Sequence, residues 1–189
     1  MLRFNSGKNF TASITALGGQ ATYPAFTDTV VKTFGILPGM GIAYGNFDRY
    51  QWANFSGYLS YSTKNLFNFQ IGKDKHFIGD GYRSLLLSDA ANNYPYFRST
   101  INIWNLQYSC WYSWMQDIYH ANGVRSDFLN KFGTFHYLSW NINKNLNISL
   151  FENIIWQGTD SNRVRIFDVN YLRSEEHTSE LQSPMYLVC

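Results

Sequence analysis

Apolar and polar side chains alternate with a period of two in three stretches of the chain, the spacing of β-strands that bury one face. In the first, Phe55, Gly57, Leu59 and Tyr61 interleave with Ser56, Tyr58 and Ser60. After Thr63-Lys64-Asn65 the pattern resumes as Phe67, Phe69 and Ile71 against Asn68, Gln70 and Gly72. Pairing across that turn sets Tyr61 opposite Phe67 and Leu59 opposite Phe69, which keeps the apolar phases together. In the second stretch Ile101 and Ile103 lead into a tight turn at Trp104-Asn105, and Leu106, Tyr108, Cys110, Tyr112 and Trp114 follow. Here Ile103 should face Leu106, and Ile101 should face Tyr108. The third joins His136, Leu138, Trp140 and Ile142 to Leu146, Ile148, Leu150, Glu152, Ile154 and Trp156 through Asn143-Lys144-Asn145. Centring the turn on Lys144 pairs Ile142–Leu146, Trp140–Ile148, Leu138–Leu150 and then His136–Glu152. That last pair is a cross-strand ion-pair candidate within an otherwise apolar row.

Long connections separate these hairpins, at about residues 74–98, 116–131 and 157–162. Short turns alternating with long loops are the signature of an antiparallel meander, and in a transmembrane barrel the long loops all face outward. The N-terminal third is less regular: Phe10 to Leu17 alternates weakly, Gly18-Gly19 reads as a turn, and Leu37-Pro38-Gly39-Met40-Gly41 as a turn or loop. The expected fold class is therefore all-β, an antiparallel meander of hairpins forming a partial, open transmembrane β-barrel with a long plug-like loop.

Composition sharpens this choice. Over 189 residues, aromatics make up 19 % and charged residues only 15 %, yet mean hydropathy is −0.29; soluble domains carry about 25 % charged residues. Few charges, many aromatics and negative hydropathy coincide where lipid-facing apolar residues alternate with lumen-facing Asn, Ser, Gln and Thr. A soluble β-sandwich glycan-binding module shares the profile and is the alternative. No stretch approaches 18 apolar residues, and a net charge of +2 is too small to argue for nucleic acid. Met1 to Ser6 has neither the basic start nor the apolar block of a signal peptide, which in an exported protein points to a missing N-terminus. Cys110 and Cys189 do not read as a disulfide framework. Trp104, Trp111, Trp114, Trp140 and Trp156 fall near strand ends and turns, where an interfacial aromatic girdle sits.

The last seventeen residues break the pattern. Glu152 is the sole glutamate of residues 1–172, whereas Arg173 to Ser183 contains three and loses both the aromatics and the alternation. That string resembles an in-frame translation of a sequencing-library adapter. The expected division is thus 1–172, a partial outer-membrane β-barrel, and 173–189, a non-native tail making almost no ordered contacts.

Residues 72–98 form the segment with most individuality. Gly79 and Gly81 permit a tight backbone path, and Leu85-Leu86-Leu87 needs burial, which places this loop back against the inner face of the sheet. The run Phe77-Ile-Gly-Asp-Gly-Tyr-Arg-Ser-Leu-Leu-Leu-Ser-Asp89, with Tyr94-Pro95, His136 to Trp140 and Leu150 to Trp156, resembles the Wzi-like capsule-assembly outer-membrane proteins and their gliding-motility-associated relatives. The likeness covers roughly residues 50–172. It implies a large outer-membrane barrel with an occluded lumen that organises exported polysaccharide. Candidate glycan-binding or plug residues are Asp80, Tyr82, Arg83, Ser88, Asp89, Asn92 and Asn93.

Catalytic readings are weaker. His76, His120 and His136 have no Cys or His partner at ligand spacing, so no metal site and no cofactor are expected. Asp80 and Asp89 read as solvated turn residues rather than as a glycosidase pair, since Asp and Asn beside Gly are the usual turn residues. Ser139 and Ser149 are in the opposite strand phase to His136, which disfavours a Ser–His hydrolase. The expectation is a non-enzymatic outer-membrane protein whose partners are surface polysaccharide and outer-membrane lipid, with no nucleic acid.

Overall fold

The computed structural model describes residues 1–45, 49–64, 66–79, 84, 86–89, 91–117, 128–160, 163–164 and 186–188. It is all-β, as its alternation requires. The strands are β1 (Leu2–Ser6), β2 (Phe10–Ala21), β3 (Ile36–Leu37), β4 (Gly41–Tyr44), β5 (Tyr50–Thr63), β6 (Phe67–Asp74), β7 (Tyr94–Ile103), β8 (Leu106–Asp117), β9 (Leu129–Asn143), β10 (Leu146–Gln157), β11 (Thr159–Asp160), β12 (Arg163–Val164) and β13 (Tyr186–Val188), with one helix, α1 (Ala25–Phe34). Among the described residues one antiparallel sheet runs β1-β2-β5-β6-β7-β8-β9-β10-β13, with β4 on β5 and β3 on β4; β11 and β12 pair separately. The sheet is open rather than closed into a barrel. Several strands are long: β5 has 14 residues and β9 has 15, well above the 9–11 or so that cross a bilayer at a steep tilt.

Because consecutive strands pair in order, their connections alternate between the two ends of the sheet. The short turns at Gly7–Asn9, Lys64–Leu66, Trp104–Asn105 and Lys144–Asn145 share one end. The long connections 22–49, 75–93 and 118–128 share the other. The β7–β8 register is the expected one, Ile103 on Leu106 and Ile101 on Tyr108. So is the far part of β9–β10, where Trp140 pairs Ile148, Leu138 pairs Leu150 and His136 pairs Glu152.

Four expectations are corrected. In β5–β6 the turn also takes in Leu66, so Tyr61 pairs Phe69 and Leu59 pairs Ile71, a slip of two that leaves both faces unchanged. At the β9–β10 turn only Lys144 and Asn145 lie outside the strands; Leu146 pairs Asn143, and a bulge before Asn147 restores the expected pairing. The Asn143 side chain accepts the Asn145 N–H at 2.9 Å, closing this tighter turn. Gly18-Gly19 is no turn, since β2 runs through it along β5 and Gly19 faces Trp52. A Cβ on Gly19 would come 3.0 Å from the Trp52 ring, so the glycine makes room for an indole. Finally, Tyr186–Val188 of the tail pairs with Ser149–Phe151, against the expectation of almost no ordered contacts. The outer edge of β10 presents free N–H and C=O groups that any short extended segment can pair with.

Helix α1 was not apparent in the alternation. It starts after Pro24 and ends at Gly35, whose φ of 68° is the left-handed stop that glycine adopts easily. Lys32 pairs Asp28 at 2.5 Å, one turn apart, and Tyr50 donates its hydroxyl to the same carboxylate. These contacts hold the Asp28 carboxyl below its ordinary range, the Lys32 ammonium being the larger cause. Val31 and Leu37 pack with Tyr50, so the 22–49 connection folds onto the start of β5.

Candidate functional site

The registers divide the sheet into two faces. One phase carries Phe4, Ile14, Phe55, Leu59, Tyr61, Phe67, Phe69, Ile71, Phe97, Ile103, Leu106, Tyr108, Trp140 and Leu146 across successive strands. Every one of these is exposed, Ile71 at 55 % and Phe55 at 61 %. The other phase carries Ser60, Ser62, Asn68, Gln70, Arg98, Thr100, Asn102, Gln107 and Ser109. Further along, towards β9 and β10, it carries Trp111, Phe135, Phe151, Asn147 and Ser149. This mainly polar face is the one on which the 22–49 and 75–93 connections fold.

The 75–93 connection lies on it. Ile78 donates its N–H to the Leu87 carbonyl at 3.0 Å, closing the loop. The Ser84 hydroxyl bonds the Ile78 carbonyl and accepts the Leu86 N–H at 3.0 Å. Ile78, Leu86 and Leu87 then pack on Trp111, Phe135 and Phe151, the first two of which stack at 5.2 Å. This is the expected folding back of the loop at two of its three leucines; Leu85 is outside the described residues. His76 enters an aromatic nest, 4.3 Å edge-on from Tyr96 and 5.4 Å stacked on Trp111, with Nδ1 3.2 Å from the Tyr94 hydroxyl. Burial, helped by the Arg98 charge, pushes the imidazole down to about 4. Lys75 donates to the Gly39 carbonyl at 2.7 Å, tying this loop to the 22–49 connection.

Of the candidate residues, Asp80, Tyr82 and Arg83 are outside the described residues. Asp89 is exposed and Ser88 half-buried. Asn92 is half-buried, and its side-chain oxygen has no hydrogen-bond partner among the described residues. Asn93 donates to the Asn54 side chain at 2.5 Å and to the Phe55 carbonyl at 3.1 Å, so it staples the loop to β5. The tryptophans divide. Trp104 is fully exposed at its turn, Trp140 is 47 % exposed near the same end, and Trp114 is 38 % exposed towards the other. Trp111 and Trp156 are corrections to the girdle expectation. Trp111 is buried beneath the loop, and Trp156 is buried with Tyr112, Phe132 and Ile154 on the apolar face. His136 and Glu152 are cross-strand neighbours, and His136 Nδ1 lies 2.7 Å from the Tyr108 hydroxyl.

Beyond the loop, the polar face opens as a cleft of about 470 Å³, lined by Ser62, Phe67, Asn68, Gln70, Arg98, Thr100, Asn102 and Gln107. Its amides and hydroxyls are held by one another. Asn68 donates to Ser60 at 2.8 Å and to Ser62 at 2.7 Å, Gln107 donates to Asn102 at 2.9 Å, and Thr100 and Ser109 share a bond of 3.0 Å. A second ladder links Asn147 to Ser139 and Asn141, and Ser149 to Asn147, each at 2.7–2.8 Å. The cleft residues were not singled out from the sequence, although their signal was present as the polar phase of β5–β8. Among the described residues no three His, Cys, Asp or Glu side chains converge as metal ligands do. No family model, curated protein or solved structure matches the chain.

Proposed function

We propose that the chain is part of a non-enzymatic outer-membrane β-barrel that binds or organises exported surface polysaccharide. One observation carries this reading: outside the Tyr112–Phe132–Ile154–Trp156 cluster the large side chains of the apolar phase are exposed, and the face on which the 22–49 and 75–93 connections fold is rich in Ser, Asn, Gln and Thr. A sheet stable in water buries its apolar face against another layer. A sheet solvated by lipid on one side and enclosing a lumen on the other has this inverted arrangement. The exposed Trp104 and Trp140 near the short-turn end and Trp114 towards the long-loop end suit the two interfacial levels of such a barrel. On the lumen side, hydroxyls, amides and stacked aromatics supply the hydrogen bonds and apolar surfaces by which sugars are held. The likeness to Wzi-like capsule-assembly proteins points the same way.

The test is membrane fractionation of the whole chain followed by electrophoresis with and without heating. Recovery in the outer membrane with heat-modifiable migration, together with retention of polysaccharide, supports the reading. A detergent-free soluble monomer contradicts it.

A further inference from the structure

The cleft on the polar face contains one side chain unlike its neighbours. Among the described residues Arg98 is the single charged one in a lining otherwise made of hydroxyls, amides and Phe67. Its position is built rather than incidental. β7 pairs it with Gln70 on one side and Trp111 on the other, so it stands at the middle of the polar rows. The guanidinium carbon lies 5.7 Å from the centre of the Trp111 ring, which orients the planar head. Yet that head is poorly satisfied. Among the described residues it makes a single hydrogen bond, a long donation to Ser109 at 3.4 Å, and its buried Nε has no acceptor there. Among the described residues no carboxylate pairs with Arg98; the ion pairs there join Lys32 to Asp28 and Lys131 to Asp117. A half-buried guanidinium without a counter-ion is costly unless an anion completes it, and its fork of donors matches a carboxylate.

We propose that this cleft is a saccharide subsite in which Arg98 receives the carboxylate of an acidic, uronate-type sugar while Gln70, Asn68, Asn102 and Gln107 bond its hydroxyls. The subsite is distinct from the 79–93 loop candidates. It rests on the polysaccharide-binding reading above and narrows the class of polysaccharide to one bearing carboxylates. The Arg98 Nη2, whose donation to Ser109 is long, then gains a closer, charged acceptor, and the neutral amides read the ring. Since the cleft is open along the sheet, a chain passes through it as a linear segment rather than being enclosed.

The experiment measures binding of oligogalacturonate, and of the same oligosaccharide after its carboxyls are reduced to alcohols, to the whole chain in lipid nanodiscs. The native protein should prefer the acidic form on the order of tenfold, the worth of a charge-assisted hydrogen bond. That preference should shrink as salt rises, through screening. Arg98→Gln should abolish the preference while leaving affinity for the reduced sugar within about twofold, and Arg98→Lys should keep part of it. Gln70→Ala, which leaves the charge in place, should weaken both sugars alike and preserve the preference. Equal binding of the two sugars by the native chain, or a preference that survives Arg98→Gln, overturns the subsite but not the polysaccharide reading. Binding of neither sugar by a chain shown to be folded by its heat-modifiable migration overturns both.

Discussion

The two faces of one sheet obey opposite rules. On the face shared by Leu59, Ile71, Phe69 and Phe97, large apolar side chains stand exposed, and no connection among the described residues covers this middle region. On the face shared by Gln70, Arg98, Thr100 and Trp111, polar groups are tied to one another, and beside them the loop carrying Ile78, Leu86 and Leu87 lies on Trp111, Phe135 and Phe151. The same alternation yields an aqueous sheet or an inverted one depending only on which phase the connections choose to cover. The lesson is that period-two patterning fixes which residues share a face, while the loops decide which face is inside.

The comparison breaks first at its most packed point. Trp111→Ala removes the ring beneath His76, Phe135 and the loop leucines, and should cost about 3–5 kcal/mol in urea unfolding from lipid vesicles. A loss under about 1 kcal/mol would mean that the loop is not docked on that face.

Next in size is a charge on the opposite face. Ile71→Arg, at a 55 % exposed position beside Leu59, should cost about 2–4 kcal/mol in a bilayer, as arginine does near the midplane. On a water-facing surface the same change falls within about 0.5 kcal/mol, so the size of the effect separates lipid from solvent.

Gly72→Ala probes the seam between the faces. An added Cβ would lie 2.5 Å from the Gly57 carbonyl oxygen and 2.8 Å from the Tyr58 Cβ, so about 1–3 kcal/mol should be lost to overpacking. Unchanged stability would show that β5 and β6 are not in the register described.

The gentlest probe is pH. His76 is held near 4 against an ordinary 6.5, so the unfolded chain takes up its proton first as pH falls. The stability it contributes is present above about 6.5 and is lost progressively towards 4. Proteolytic nicking within residues 75–93 should rise over that window, and His76→Phe should flatten the response. A nicking rate independent of pH in the native chain would contradict the buried placement of His76.

Much of this fold was legible because local chemistry determined it. The β7–β8 register follows from a two-residue turn, and the His136–Glu152 pairing from a row of apolar partners that one slip would mix. The β5–β6 register was misjudged by two because such a slip preserves both faces, so hydrophobic phase alone cannot detect it. Gly18-Gly19 misled because a glycine that yields to Trp52 looks, in sequence, like one that turns the chain. Helix α1 escaped notice because Val30, Val31 and several threonines favour strand, although Pro24 and Gly35 bracketed it. The cleft around Arg98 was hidden for a different reason. Gln70 meets Arg98 only through the β6–β7 register, which the long 75–93 connection sets and no local turn reveals.

The central claim, that the apolar face meets lipid and the polar face a lumen, is tested most directly at two adjacent residues of β6. Nitroxide labels are placed singly at positions 70 and 71 of the whole chain in bilayers, in a background with both cysteines replaced by serine. Collision rates with oxygen and with a water-soluble nickel chelate are then compared. The account predicts that position 71 is accessible to oxygen and shielded from nickel, and that position 70 shows the reverse. Equal nickel accessibility at both positions, or nickel access at 71 alone, would contradict it.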